Sequence, residues 1–394
     1  MISDLELKIN EIYDELIKFR RDLHMYPDLS YEEENTMKKI AKALEGLGLE
    51  IETNVGGYSV VALLRGASEG KTVLLRADID ALPIFEKSGL EYSSKIDGVM
   101  HACGHDVHTT ILLGVAKILS QHKDKIKGNI KFCFQPAEEV SPTGGAQYMI
   151  DAGVLENPKV DAAMALHVWN NKLGTVAVRD GAMMAQSDRI SITVKGRSAH
   201  ASQPHKGADA IVAAGHIITA MQSAISRNTD PFDNAVVTIG TISGGKKYNI
   251  ICDSVQLEGT IRILSEKVSE KMPKLLENIA VNVGKGLGCE VDFNYTRGYA
   301  MTKNDHELFQ TVVPALKEEL GEENVLFPEY PNTGGEDFSA FGKYVPSIYM
   351  WLGMESEINE GRVTIHSNNL LIDERMIPVG IKTFIASAFA FLEK

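Results

Sequence analysis

Four cysteines in 394 residues, none of them in a CxxC pair, exclude a disulfide-stapled scaffold and a cysteine-rich metal knuckle. Cys103, Cys133, Cys252 and Cys289 lie far apart, which fits a reducing, cytoplasmic compartment and leaves each thiol free for other work. Long apolar runs are also missing. The most apolar late segment, IPVGIKTFIASAFAFLEK, is interrupted by Lys382 and falls short of the roughly 20 residues that a bilayer span needs. The opening stretch MISDLELKINEIYDELIKFRRDL mixes acids and bases along an amphipathic pattern, where a signal peptide would show a basic start and an unbroken apolar run. It is expected to be a helix. Positive charge is in deficit: 40 Lys and Arg face 53 Asp and Glu, a formal net charge of -13, which disfavours nucleic acid and anionic membrane as partners. A small-molecule or peptide ligand is the expectation that remains.

The chain is longer than a single core usually grows, so two domains are expected. Ser30 followed by Glu33 reads as a capping box for a second helix over about 32–47. Short, continuously apolar runs then begin at SVVALL (59), TVLLRA (72), NIKFCFQ (129) and DAAMAL (161), with helices at about 107–119 and near Tyr148 between them. Strands of that kind alternating with helices predict an α/β fold: a mostly parallel central sheet flanked by helices. From Ser187 the texture changes to period-two alternation. Ile190, Ile192 and Val194 alternate with polar partners, and Gln256, Glu258, Thr260 and Arg262 share one face. Together with helical stretches at about 206–226 and 265–286 and the run CEVDFNYT at 289, this predicts an inserted α+β lid or dimerisation domain, an antiparallel sheet plus two helices. The expected division is 1–186 and 297–394 for the catalytic domain and 187–296 for the insert. A helix near 305–320, the strand SIYMW and a closing helix after Asp373 complete the first domain.

Within VMHACGHDVHTT (99–110) a cysteine sits among three histidines, and imidazole and thiolate are ligands for borderline metals. Cys103 and His105, at i and i+2 of an extended segment, would point the same way. Further candidate ligands fall just past the ends of predicted strands, where open α/β sheets bind ligands: Asp78 and Asp80, Glu138 and Glu139, and His167. His366, after RVTI, is another. Neighbouring glutamates in an extended loop diverge, so one of the pair Glu138 and Glu139 can bind metal while the other acts as general base. Asp78 and Asp80 are expected behind the ligands, Asp80 orienting a histidine. His200, in GRSAHASQPH, is a candidate for stabilising an oxyanion. His216, inside AIVAAGHIITAM, is read as a packed or capped core histidine. GASEG matches a nucleophile-elbow pattern, but it joins two strands and is read as a turn.

RRDLHMYPDLSYEE, RADIDALP, HACGHDVH, QPAEE, GRSAHASQPHKGADAI, YNII with GTIR, and GGEDFS, in that order, resemble the metal-dependent amidohydrolases that include hippurate hydrolase, N-acyl-amino-acid amidohydrolases and the indoleacetyl-amino-acid hydrolases of plants. The resemblance runs from about Arg20 to His366. It implies two divalent ions per subunit (Zn, Mn, Co or Ni), with Cys103 shared between them, His105 and His167 on one, and Glu139 and His366 on the other. It further implies Glu138 as the base, His200 as a lid histidine, Asn249 and Arg262 near the substrate carboxylate, and a homodimer or homotetramer formed through the lid domain. The implied reaction is hydrolysis of N-acyl-L-amino acids by a water held between the metals. A dipeptidase or carboxypeptidase of the same fold, and a silent peptide-binding homologue, are the alternatives. The chain departs from the family in reading HSNNLL after the last ligand, where HxPxFD is usual, and Pro27-Asp28 where Pro-Glu is common.

Overall fold

The computed structural model describes residues 4–394. In chain order the elements are α1 (Leu5–Met25), α2 (Glu34–Leu44), β1 (Glu50–Thr53), β2 (Val60–Arg65), β3 (Ser68–Asp78), α3 (His105–Ser120), β4 (Lys127–Gln135), α4 (Ala146–Asp151), β5 (Ala162–Lys172), β6 (Val176–Ala177), β7 (Gly181–Met184), β8 (Gln186–Lys195), α5 (Ala210–Asn228), β9 (Ala235–Gly244), β10 (Ser254–Ile263), α6 (Glu266–Gly286), β11 (Glu290–Tyr299), β12 (Thr302–Asn304), α7 (His306–Leu320), β13 (Val325–Leu326), β14 (Ser347–Glu355) and α8 (Met376–Leu392). They divide into two compact units, Met184–Met301 with Asn332–Glu336, and the remainder. No helix among the described residues is long and apolar enough to cross a membrane. All four cysteines are free and buried.

The larger unit is built on an eight-stranded sheet in the order β1-β2-β4-β3-β5-β14-β6-β13. Its four inner strands, β4, β3, β5 and β14, run parallel, and antiparallel pairing is confined to the flanks. The inner strands are apolar through the stretches where both faces are covered, and Val73, Leu75, Ile130, Phe132, Met164, Leu166, Ile348 and Met350 all lie in one core. α3 and α8 are buried almost all round, as befits helices sandwiched against that sheet. Because the inner strands are parallel, their C-terminal ends share one edge. Asp78 ends β3 opposite Gln135, which ends β4, and Arg76 of β3 pairs with Ala165 of β5. This edge collects the polar side chains described below.

The smaller unit is a four-stranded antiparallel sheet, β11-β8-β10-β9, backed by α5 and α6. Ile190, Ile192, Val194, Val255, Leu257 and Ile261 turn inward, while Gln256 and Glu258 face water, as the alternation predicts. β9 lies in AVVTIGTISG, where the sequence reading places no strand. His216 is exposed, contrary to expectation. The buried stripe of α5 is Ala210, Ala213, Ala214, Ile217, Met221 and Ala224, and His216 projects outside it.

The expected capping box on α2 does not form. Ser30 instead donates to Asp80 Oδ2 at 2.6 Å, and the first-turn N–H of Thr36 is capped by Asp28 Oδ2 at 2.7 Å. The helix starts with Glu33, not Ser30, at its N-cap, and a carboxylate from the preceding loop caps its first turn. Glu33 is wholly buried, and its Oε1 accepts from the backbone N–H of Tyr31 (2.9 Å) and of Ala137 (2.8 Å), while Oε2 has no hydrogen-bond partner. Burial, then the charge of Asp80, pushes its carboxyl up to about 7 from 4.5. Between those two values the folded chain holds a proton that the unfolded chain has released, so stability falls as pH rises through this window. Glu33→Gln keeps the Oε1 acceptor and removes the ionisation. The wild type should therefore lose on the order of 2–3 kcal/mol more than Glu33→Gln between pH 5 and pH 8 in chemical denaturation, and parallel pH profiles would show that Glu33 does not titrate in this way.

Candidate metal centre

The Cys-His stretch enters the edge of the sheet through a backbone reversal. Gly104 adopts φ +84°, and a Cβ there would meet Val168 Cγ2 at 2.6 Å and Ile372 Cδ1 at 2.9 Å, so only glycine fits. α3 begins at the next residue. Cys103 and His105 therefore do not share an extended segment, as the sequence reading supposed; a left-handed turn aims the thiol and the first helical side chain at one spot. His105 Nδ1 donates to the Asp80 carbonyl (2.9 Å) and sits 3.2 Å from Asp80 Oδ1, which leaves Nε2 as the ring nitrogen available to a proton or a metal. His108, one turn on, donates from Nδ1 to Asp78 Oδ1 (2.6 Å) and accepts the Val168 N–H at Nε2 (2.9 Å). Both its nitrogens are engaged, so it braces the site. The sequence reading missed His108; its i+3 spacing from His105 on one helix face was the available signal.

His167 lies inside β5, which continues five residues beyond it, and not past the end of a strand as expected. Its Nδ1 donates to the Val168 carbonyl (2.7 Å), and Nε2 lies 3.3 Å from Cys103 Sγ. Glu138 and Glu139 follow Ala137, a non-glycine residue at φ +56°. The two glutamates diverge. Glu139 Oε1 lies 3.9 Å from His105 Nε2 and 3.3 Å from His366 Nε2, and Cys103, His105 and Glu139 each offer a ligand atom within 4.8 Å of one another. A carboxylate oxygen of Glu138 lies within 4.8 Å of one of Asp337. His366 is delivered by a loop at φ +62° and pinned by its N–H to the Ala102 carbonyl at 2.7 Å. The five expected ligands, Cys103, His105, Glu139, His167 and His366, thus come to one place. Asp78 and Asp80 stand behind them, each on a histidine.

The donor set tests itself against a cation. His105 Nε2 and Glu139 Oε1 are buried with no hydrogen-bond partner although they face each other, an arrangement that leaves two lone-pair atoms in want of a positive charge. Burial, then the charges of Glu139, Glu138 and Asp78, drives the Cys103 thiol well above its ordinary value. Burial lowers the His105 pKa, but Asp78, Asp80 and Glu139 outweigh it and raise the imidazole to about 10. A proton on His105 thus answers the same field that a metal would. Thiolate, imidazole and carboxylate together suit a borderline divalent ion, and the residues fit one.

In the smaller unit His200, Asn249, Lys247 and Ile250 line one open cavity of about 360 Å³. Ser202 donates to His200 Nδ1 from both its hydroxyl (2.8 Å) and its N–H (3.2 Å), which leaves the ring proton on Nε2 as a free donor. Asn249 Oδ1 is buried without a partner. Arg262 is not in this group. It lies near the far end of β10, about 26 Å of strand from Ser254, and its Nη1 is spent on Thr260 Oγ1 and the Ile261 carbonyl.

The sequence profile of peptidase family M20/M25/M40 matches residues 74–389. N-acetylcysteine deacetylase of Bacillus subtilis is 36% identical over 96% of this chain and 97% of its own. Thermostable carboxypeptidase 1 of Saccharolobus solfataricus is 38% identical over the whole of both chains. The crystal structure of a dinuclear metal-binding M20 peptidase from Bacillus subtilis superimposes with a TM-score of 0.83 at 33% identity, covering 98% of this chain and 99% of that one. The mostly parallel sheet with its separate antiparallel unit is the fold of that structure, and the convergent Cys, His and Glu side chains are metal-binding types. The chain belongs to peptidase family M20/M25/M40 and is an amide-cleaving hydrolase.

Proposed function

We propose that this hydrolase cleaves the amide bond of N-acyl-L-amino acids with two divalent metal ions, drawn from Zn, Mn, Co and Ni. The observation that carries the reading is the convergence of Cys103, His105, Glu139, His167 and His366, with Glu138 directed elsewhere from the same turn. In this reading Cys103 would help to hold both metals, His105 and His167 would hold one, and Glu139 and His366 would hold the other. When bound, the metals supply Lewis acidity and draw the pKa of water down toward ~7. The Cys103 thiolate and Glu139 carboxylate cancel only part of the added positive charge, so the site favours a substrate that carries a carboxylate. Glu138, buried but for 6% of its surface, takes the proton of the attacking water on its carboxylate and returns it to the leaving nitrogen. His200 donates its Nε2 proton to the developing oxyanion. Asn249 is assigned to the substrate carboxylate; Arg262, which stands apart from it along β10, is not. A homodimer formed through the smaller unit, in the cytoplasm, completes the proposal.

The carboxypeptidase named above, at 38% identity, favours a second reading in which peptides with a free C-terminus are the substrates. A panel of acetyl, benzoyl and indoleacetyl amino acids set beside dipeptides separates the two. Glu138→Gln should retain both metals and lose roughly 10²–10⁴-fold in kcat; near-normal turnover would remove Glu138 as the base. Metal binding must expel the His105 proton and ionise Cys103, so metal affinity should fall steeply as pH drops from 8 to 6, with proton release seen in calorimetry. A pH-independent affinity would contradict this ligand set.

A further inference from the structure

The turn that carries Glu138 and Glu139 is closed at both ends by one side chain. Asp337, 3% exposed, accepts Gln135 Nε2 on Oδ1 (2.9 Å) and Oδ2 (2.8 Å), where β4 runs into the turn. Its Oδ2 also accepts the N–H groups of Gly145 and Ala146, each at 2.9 Å, where the turn runs out into α4. Arg76, fully buried, fixes Asp337 in turn. Its guanidinium donates to Asp337 Oδ1 (2.7 Å), Asp78 Oδ2 (2.7 Å) and Gln135 Oε1 (2.9 Å). The pinch is tight enough to require the two glycines of PTGG. A Cβ on Gly144, at φ +61°, would lie 2.6 Å from Asp337 Oδ2, and one on Gly145 would lie 1.9 Å from the Pro136 carbonyl oxygen.

We propose that Asp337 is the positioning residue for Glu138: by tying Gln135 to Gly145 and Ala146 it fixes the height at which Glu138 meets the water it deprotonates. The proposal rests on Glu138 being the base. Two acceptor oxygens are required, because an amide at this position would turn an NH₂ group toward either Arg76 and Gln135 or the two backbone N–H groups, donor against donor. A base must come within hydrogen-bond reach of its proton, and a displacement of 1 Å costs about 10²-fold in rate.

The test compares Asp337→Asn, Glu138→Gln and the double variant, each as metal-loaded full-length protein, on whichever acyl-amino acid or dipeptide the wild type cleaves. Asp337→Asn should lower kcat about 10²-fold with KM within about threefold and metal content unchanged. On the Glu138→Gln background it should cost nothing further, since residues that act as one unit are not additive. A merely structural role would slow both backgrounds alike. If Asp337→Asn does not fold, Gly144→Ala, which thrusts a methyl against Asp337 Oδ2, carries the same measurements and the same expectations. Retained kcat, lost metal or additive losses overturn the proposal. A wild type inactive on every substrate in the panel overturns the proposed function as well, so the two failures are told apart.

Discussion

Everything at the edge of the sheet depends on an excess of electron pairs over protons in a largely buried space. Cys103, Glu139, Asp78 and Asp80 are gathered around His105, and the Arg76 guanidinium is already committed to Asp78, Gln135 and Asp337. Such a group of acids in a low-dielectric setting is unfavourable unless a cation enters or a proton is taken up. With no metal the proton goes to His105, whose affinity for it is raised accordingly. A divalent ion answers the same field more strongly, and it also satisfies His105 Nε2 and Glu139 Oε1, which hydrogen bonding leaves unpartnered.

The parallel sheet supplies the frame on which these groups meet, but the final aim is set by backbone turns. Gly104, Ala137 and His366 all have positive φ: Gly104 joins Cys103 to His105, Ala137 opens the turn of Glu138 and Glu139, and His366 is itself a proposed ligand. Two of the three are not glycine, at a cost of about 1–2 kcal/mol each. Hydrogen bonds around them hold these conformations: Glu33 Oε1 takes the Ala137 N–H, and the Ala102 carbonyl takes the His366 N–H. Behind the ligands a single chain of contacts runs from Asp337 through Arg76 and Asp78 to His108 and the Val168 N–H. The groups that orient the histidines and the clamp on the glutamate turn are therefore parts of one network.

Much of this was legible in the sequence because it is written in local patterns. Unbroken apolar runs marked the parallel strands, alternation marked the antiparallel unit, and the candidate Cys, His and Glu ligands stood out by residue type. What escaped was settled by partners distant in the chain. Ser30 bonds Asp80, fifty positions away, and the helix it was expected to cap begins later, with its Thr36 N–H held by Asp28. His108 looked like a neighbour of the motif until Asp78 and Val168 claimed both its nitrogens. Asp337 reaches Gln135 across 202 residues, and nothing local to GGEDFS announces that contact. His216 sits in an apolar string, yet the helix turns it out of the stripe that faces the sheet, a matter of angle that composition alone does not fix.

The central claim is that sulfur, imidazole and carboxylate from distant parts of the chain hold a pair of cations. X-ray absorption at the metal edge of the reconstituted enzyme reads it directly. The account predicts one sulfur scatterer at about 2.3 Å among nitrogen and oxygen ligands, lost in Cys103→Ala, with a metal neighbour beyond. A shell of nitrogen and oxygen alone, unchanged by that substitution, would contradict it.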